Sequence, residues 1–154
     1  MKKLVITLSV VALFICTGCA DRNAFKEFHI SKRQELSEDT ILTVKLNDQK
    51  ETAGIVTVVY LNKIYPKKYH DKEYFYIYYY LKEKSSKLIF LLNNKKPLEV
   101  DELPRQNPFA TLTSFNAPWS KYKLVAFQKE GNILKLKIKT AKAAEATLTF
   151  IKDK

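Results

Sequence analysis

A chain of 154 residues with 27 basic and 16 acidic side chains, a formal charge of +11, is long enough for one domain with its own core and too short for several. Its two cysteines stand at positions 16 and 19, so no disulfide framework can brace the rest of the chain. Three glycines supply no phosphate-cradling loop and no GxSxG elbow, and histidines at 29 and 70 with no neighbouring thiols lack the spacing of a zinc site.

The N-terminus reads MKKLVITLSVVALFICTGC. Lys2 and Lys3 precede an apolar run from Leu4 to Ile15, which is shorter than the roughly 20 residues a membrane-spanning helix needs. Charge, apolar run and small residues in that order are the pattern of a secretory signal. The end of the run, CTGC with Gly18 before Cys19, resembles the lipobox of bacterial lipoproteins, although Cys16 stands where that family prefers an aliphatic residue. The resemblance implies a signal peptide over 1–18, diacylglycerol on the Cys19 thiol, an acyl group such as palmitate on the new amino terminus, and anchorage in a membrane. Ala20, rather than an aspartate, follows the modified cysteine; by resemblance to sorted Gram-negative lipoproteins this implies the outer membrane. Losing Lys2 and Lys3 with the signal leaves a net charge of about +9.

Residues 19–39 are polar, without a period of two, and are expected to form the lipidated N-terminus and a tether. From Thr40 onward alternation sets in. TILTVKLN (40–47), GIVTVVYLNKIY (54–65), EYFYIYYYL (73–81) and KLIFLL (87–92) all read as strands, and Asn93-Asn94 offers the left-handed backbone of a tight turn before KPLEV. Residues 101–120 carry Pro104, Pro108 and Pro118 together with Phe109, Leu112, Phe115 and Trp119, so the segment is a loop that must pack on something, with ATLTSF (110–115) as a short strand inside it. KYKLVAFQKEGNILKLKIKT reads as a hairpin turning at Gly131, and ATLTFIK (146–152) closes the chain after a short Ala-rich link.

Seven to nine short strands with almost no helical pattern predict an all-β, antiparallel β-sandwich over residues 40–154. Its strand number and length resemble small immunoglobulin-like envelope lipoproteins, in layout and not in motif, since the cysteine and tryptophan pattern of true immunoglobulin domains is absent. A transmembrane barrel is disfavoured because LKLKIKT would point its lysines into lipid or into a narrow lumen.

Two features carry the functional expectation. In EYFYIYYYL the alternate residues Tyr74, Tyr76, Tyr78 and Tyr80 share one strand face, with Phe75, Ile77, Tyr79 and Leu81 on the other. An open row of four rings would bind a glycan or a protein; a covered row would be buried by the 101–120 loop, the arrangement favoured by the rarity of large exposed aromatic surfaces. The second feature is the row Lys135, Lys137 and Lys139, which would attract acidic partners or, more commonly, keep a sheet soluble and guard its edge. With three arginines against 24 lysines and no aromatic RNA motif, nucleic acid is not an expected partner.

His70 beside Asp71 is a solvated loop pair rather than half a catalytic dyad. Glu99, Asp101 and Glu102 are too few for a calcium cage. No enzyme activity, cofactor or metal is expected. The reading is a lipid-anchored binding or adhesion module of the cell envelope, with an assembly component or an inhibitor or immunity-type lipoprotein as alternatives. If Cys19 carries the lipid, Cys19→Ser abolishes incorporation of radiolabelled fatty acid by expressing cells; undiminished labelling would refute the anchor.

Overall fold

Short β-branched and aromatic stretches fold into eight antiparallel strands in a computed structural model that describes residues 40–48, 51–84, 86–113 and 117–152. In chain order they are β1 (Ile41–Asn47), β2 (Thr52–Tyr60), β3 (Glu73–Leu81), β4 (Leu88–Leu92), β5 (Glu99–Leu103), β6 (Lys121–Phe127), β7 (Ile133–Thr140) and β8 (Glu145–Ile151). A single helical turn, α1 (Leu61–Ile64), follows β2, and a 3-10 turn spans Ala110–Leu112. The expected signal peptide, Cys19, the 19–39 tether and Phe115 lie outside the described residues.

All eight strands belong to one sheet, ordered β4-β7-β8-β1-β2-β3-β6-β5. Laid flat, such a sheet would hold its edges about 33 Å apart, at ~4.8 Å per strand spacing. Yet β4 and β5, the two edges, are joined by residues 93–98, which reach at most ~24 Å even when extended. That linker is not extended. Asn93 and Asn94 adopt φ of 48° and 67°, and Leu92 and Lys95 exchange hydrogen bonds of 3.0 and 2.8 Å across the turn. The sheet therefore has to curl. Its curl is visible in the rings of Phe75 on β3 and Phe150 on β8, whose centroids are 5.4 Å apart although three strand spacings, ~14 Å when flat, separate their strands.

The result is an all-β half-barrel. Its five-strand wing (β1-β2-β3-β6-β5) and three-strand wing (β4-β7-β8) meet at one registered pair, Asn47 opposite Glu145. The expected sandwich asks for two separate sheets; here one continuous ladder bends so that its wings face each other. Gly54 on β2 serves a close approach, since a Cβ there would lie 2.5 Å from the Tyr80 carbonyl oxygen. Between the wings lies a core of Leu46, Val56, Val58, Phe75, Ile77, Val125, Phe127, Leu134, Leu136, Ile138 and Phe150, among others. Burying side chains of this size contributes about 1.5–3 kcal/mol each.

Three expectations are corrected. The 121–140 segment is not a hairpin, because β6 pairs with β3 and β5 while β7 pairs with β4 and β8. Residues 128–132 instead carry the chain from one wing to the other. Gly131 does not take the positive φ that a two-residue hairpin turn requires. Val125, Phe127 and Leu136 still share a core, but across the interior. Second, β2 stops at Tyr60: Leu61 and Ile64 turn into a buried patch on the outer face, held by Asn62, whose Nδ2 donates to the Lys72 carbonyl (2.6 Å) while its Oδ1 accepts from the Tyr74 amide (2.8 Å). Third, residues 110–112 form a 3-10 turn in place of a strand.

The crossover is fastened by a buried carboxylate. Glu73 begins β3 on the interior row and is fully buried. One carboxylate oxygen accepts the Tyr60 phenol proton at 2.6 Å; the other accepts the Glu130 amide at 3.0 Å and the Lys152 ammonium. Lys152 also donates to the Glu130 carbonyl at 2.7 Å, and its own amide bonds the Asn132 carbonyl at 2.9 Å. Burial, reinforced by the hydrogen bond and charge of Glu73, pushes the Tyr60 phenol far above its ordinary range, so it stays a donor. Outside the knot, Lys95 Nζ lies 2.7 Å from Glu130 as a charge pair, and together with Asn93 it holds the Glu130 carboxyl below the usual range.

Removing one member of such a pair leaves a buried charge, at a cost of about 3–5 kcal/mol. Lys152→Met is therefore expected to lower the unfolding free energy by that amount in denaturant melts. The double variant Glu73→Leu with Lys152→Met should recover most of it. Equal losses in both would mean that the ion pair is not what the site depends on.

Candidate functional site

The outer face of the five-strand wing is a grid set by strand register. One row runs Ile41, Val59, Tyr76, Leu124; the next Thr43, Thr57, Tyr78, Tyr122; the third Lys45, Ile55, Tyr80. The tyrosine row of β3 thus crosses three environments.

At the first row the face is covered. Tyr76 has no exposed surface, and Phe109 lies over it with ring centroids 5.3 Å apart. Tyr122 stacks beside it at 6.4 Å, and Tyr69 packs on both Phe109 (6.2 Å) and Tyr74 (4.7 Å). Asn107 pins this cover. Its Nδ2 donates to the Pro104 carbonyl (2.9 Å) and, at 3.5 Å, to the Tyr76 phenol, while its Oδ1 accepts from the Phe109 amide (3.0 Å). Burial pushes the Tyr76 phenol up to about 12. The expected covering of the tyrosines by the 101–120 loop is therefore met at Tyr76, whereas the half-buried Tyr74 is packed on by Tyr69, from the segment before β3.

Over the second and third rows the face opens. Tyr78 is half-buried, and Tyr80 is 43% exposed. Trp119, expected to bury itself over the row, stands 61% exposed at its end, while Ile55 faces Tyr80 across the ladder. Thr43, Ile55, Thr57, Tyr78, Tyr80 and Trp119 line a cleft of about 370 Å³. A second cleft of about 490 Å³ continues past Trp119 to Pro118, Lys84 and Lys121. The two share Tyr80 and Trp119 as a common wall. Among the described residues no carboxylate lines either cleft, and Lys45 flanks the first on the ladder. Thr43 and Thr57 hydroxyls bond each other at 2.9 Å on the floor, which leaves each a further donor or acceptor position for a ligand.

Such a groove offers flat apolar rings, neutral hydroxyls and peripheral ammonium groups. That combination suits stacking and hydrogen bonding. Trp119 was legible only as apolar mass in a loop. Thr43 on β1 and Ile55 and Thr57 on β2 were hidden in unremarkable strands, and only the register brings them beside the tyrosine row.

The other predicted residues fall elsewhere. Lys135, Lys137 and Lys139 point outward from β7 on the three-strand wing, away from the tyrosines. The β7 strand is not an edge, since β4 lies outside it. The acidic group on β5 is engaged by lysines: Glu99 pairs with Lys72 at 2.6 Å and Glu102 with Lys123 at 2.8 Å. Among the described residues, no cluster of three or more His, Cys, Asp or Glu is arranged to hold a metal. Cys19 lies outside the described residues.

No protein-family model, curated protein or solved structure matches this chain.

The gradient along β3 yields a graded response to truncation. Tyr76→Ala should lower stability by about 3–5 kcal/mol, as loss of a large buried ring does. Tyr79→Ala, which empties the interior face, should be similarly costly, whereas Tyr80→Ala should change stability by about 0.5 kcal/mol or less. Denaturant melts of the three variants decide it: a Tyr80→Ala loss as large as that of Tyr76→Ala would mean the groove is closed.

Proposed function

We propose that this chain is a lipid-anchored protein of the bacterial cell envelope, held at the outer membrane through Cys19, whose half-barrel binds a glycan or a protein in the groove of Tyr78, Tyr80 and Trp119. The observation that carries this reading is Trp119, left 61% exposed beside the 43% exposed Tyr80. Large aromatic side chains in such a position are unusual on a domain with no partner, and they are the residues that dominate recognition surfaces. Hydroxyls on the floor and lysines at the rim suit a sugar chain, with its apolar ring faces stacked on the aromatics and its hydroxyls paired below. The lipobox-like sequence ending at Cys19 supports the location. The second reading, an assembly component or an inhibitor that docks by strand addition, is favoured by β5, an edge strand with Val100 exposed.

Trp119 is the sole tryptophan of the chain, so its fluorescence reports on the groove directly. Using the unlipidated Cys19→Ser chain, neutral and uronate-bearing oligosaccharides would be titrated while Trp119 emission is followed. Binding should shift the emission to shorter wavelength, and Tyr80→Ala should weaken it at least about 10-fold, the loss of a stacked aromatic anchor, while leaving the melt unchanged. Emission that no oligosaccharide alters would count against a glycan. Binding that survives both Tyr80→Ala and Trp119→Ala would move the site off the groove.

A further inference from the structure

The outer face of the three-strand wing is open over its whole width and has a composition unlike that of the groove. On β7, Ile133, Lys135, Lys137 and Lys139 point outward. Register places Ile151 opposite Ile133, Thr149 opposite Lys135, Thr147 opposite Lys137 and Glu145 opposite Lys139 on β8, and Leu91 and Ile89 opposite Lys137 and Lys139 on β4. Three corners of this grid are apolar and uncovered: Ile133 is 55%, Ile151 68% and Ile89 50% exposed. Among the described residues Glu145 is the one carboxylate on the grid and lies 3.4 Å from Lys139, and no described carboxylate pairs with Lys135 or Lys137 at the centre.

We infer that this face is an interfacial surface for an anionic lipid bilayer, with the lysine row on headgroup phosphates and Ile89, Ile133 and Ile151 at the acyl boundary. Charge complementarity selects the partner. Alternate lysines stand about 6.5–7 Å apart in one plane, and each lysine held near an anionic surface contributes roughly fivefold in affinity. The isoleucines then choose between anions. A nucleic acid would present phosphates but no apolar layer to receive exposed aliphatic side chains, and it is better matched by arginine forks and aromatics. A bilayer interface accepts both, because lysine stems lie along its apolar boundary while their ammonium groups stay in the headgroup layer. This reading is independent of the groove. It also holds whether or not Cys19 is acylated, although an anchor would raise the local concentration of lipid. Since the wings face each other across the core, seating this face on a bilayer turns the Tyr80–Trp119 groove away from it.

The test uses the unlipidated Cys19→Ser chain and vesicles of phosphatidylcholine alone or with phosphatidylglycerol as a third of the lipid, read by co-sedimentation. Lys135, Lys137 and Lys139 would be changed together to Gln, and, as a charge-matched control on other surfaces, Lys67, Lys68 and Lys96. The inference expects the first triple to lose about 30-fold or more on anionic vesicles. The control should lose no more than about threefold. The same lysines changed to Arg should bind as the parent does, and Ile133→Ser with Ile151→Ser should abolish the binding that survives high salt. Equal losses in the two Gln triples would reduce the effect to net charge and overturn the inference, as would equal binding of the parent to neutral vesicles.

Discussion

One buried carboxylate holds the two wings of this molecule in register. Glu73 occupies the interior row of β3 where Phe75, Ile77 and Tyr79 continue it, and an unpaired charge there would cost several kcal/mol. Its three donors come from β2, from the β6–β7 crossover and from the residue after β8. Desolvation is thus offset by contacts that exist only when the five-strand wing, the crossover and the chain's last strand have all reached their places. An apolar residue in the same place would pack as well and would specify less, because hydrophobic contacts are indifferent to the direction of approach. The single registered pair between β1 and β8 gives little such control, so the angle between the wings depends on the knot and on the short β4–β5 linker.

A fixed interior also explains how one strand can serve two purposes. With Phe75, Ile77, Tyr79 and Leu81 committed to the core, the alternate tyrosines have only the outer face. That face is divided by where the chain has material to spend on it. Residues 61–69 and 104–112 lie over Tyr74 and Tyr76, sealed by Asn107, and the chain then rises through Ala117, whose carbonyl accepts the Tyr122 phenol proton at 3.2 Å. Trp119 comes two residues too late to join the cover and ends at the rim. The open groove is what remains past the end of that cover.

How much of this was legible in the sequence follows from the range of each interaction. Strand positions come from alternation, a local property, and segments such as ILTVKLN and LKLKIKT therefore fell where they were expected. The Asn93-Asn94 turn was legible for the same reason, since few residues accept two successive left-handed backbones. Pairing is not local. KYKLVAF and ILKLKIKT flank a Gly-containing link that fits a hairpin, but residues 128–132 are a crossover fastened by Glu73, 57 positions before Glu130 in the chain. Glu73 and Lys152 were legible only as end residues of the strands EYFYIYYYL and ATLTFIK, with nothing to pair one with the other. Tyr76 and Tyr80 carry the same residue type in the same alternation, so nothing in EYFYIYYYL distinguishes the buried ring from the exposed one; the ring that lies on Tyr76, Phe109, comes from 33 positions away.

The charge distribution follows from the same division. Most acids of the described residues are held by lysines: Glu51 by Lys82, Glu83 by Lys142, Glu99 by Lys72, Glu102 by Lys123 and Glu130 by Lys95. A basic chain with its carboxylates so engaged keeps its surplus where no acid stands opposite, and the register leaves Lys135 and Lys137 opposite threonines on β8. Aromatic surface collects on the outer face of one wing and positive charge on that of the other, because each lies on the outward phase of strands whose inward phase is fixed by the core. The two surfaces cannot meet the same flat partner. Whatever seats on the lysines leaves the groove free, so a curled sheet bound to a membrane by one wing can present the other to solvent without any change of shape.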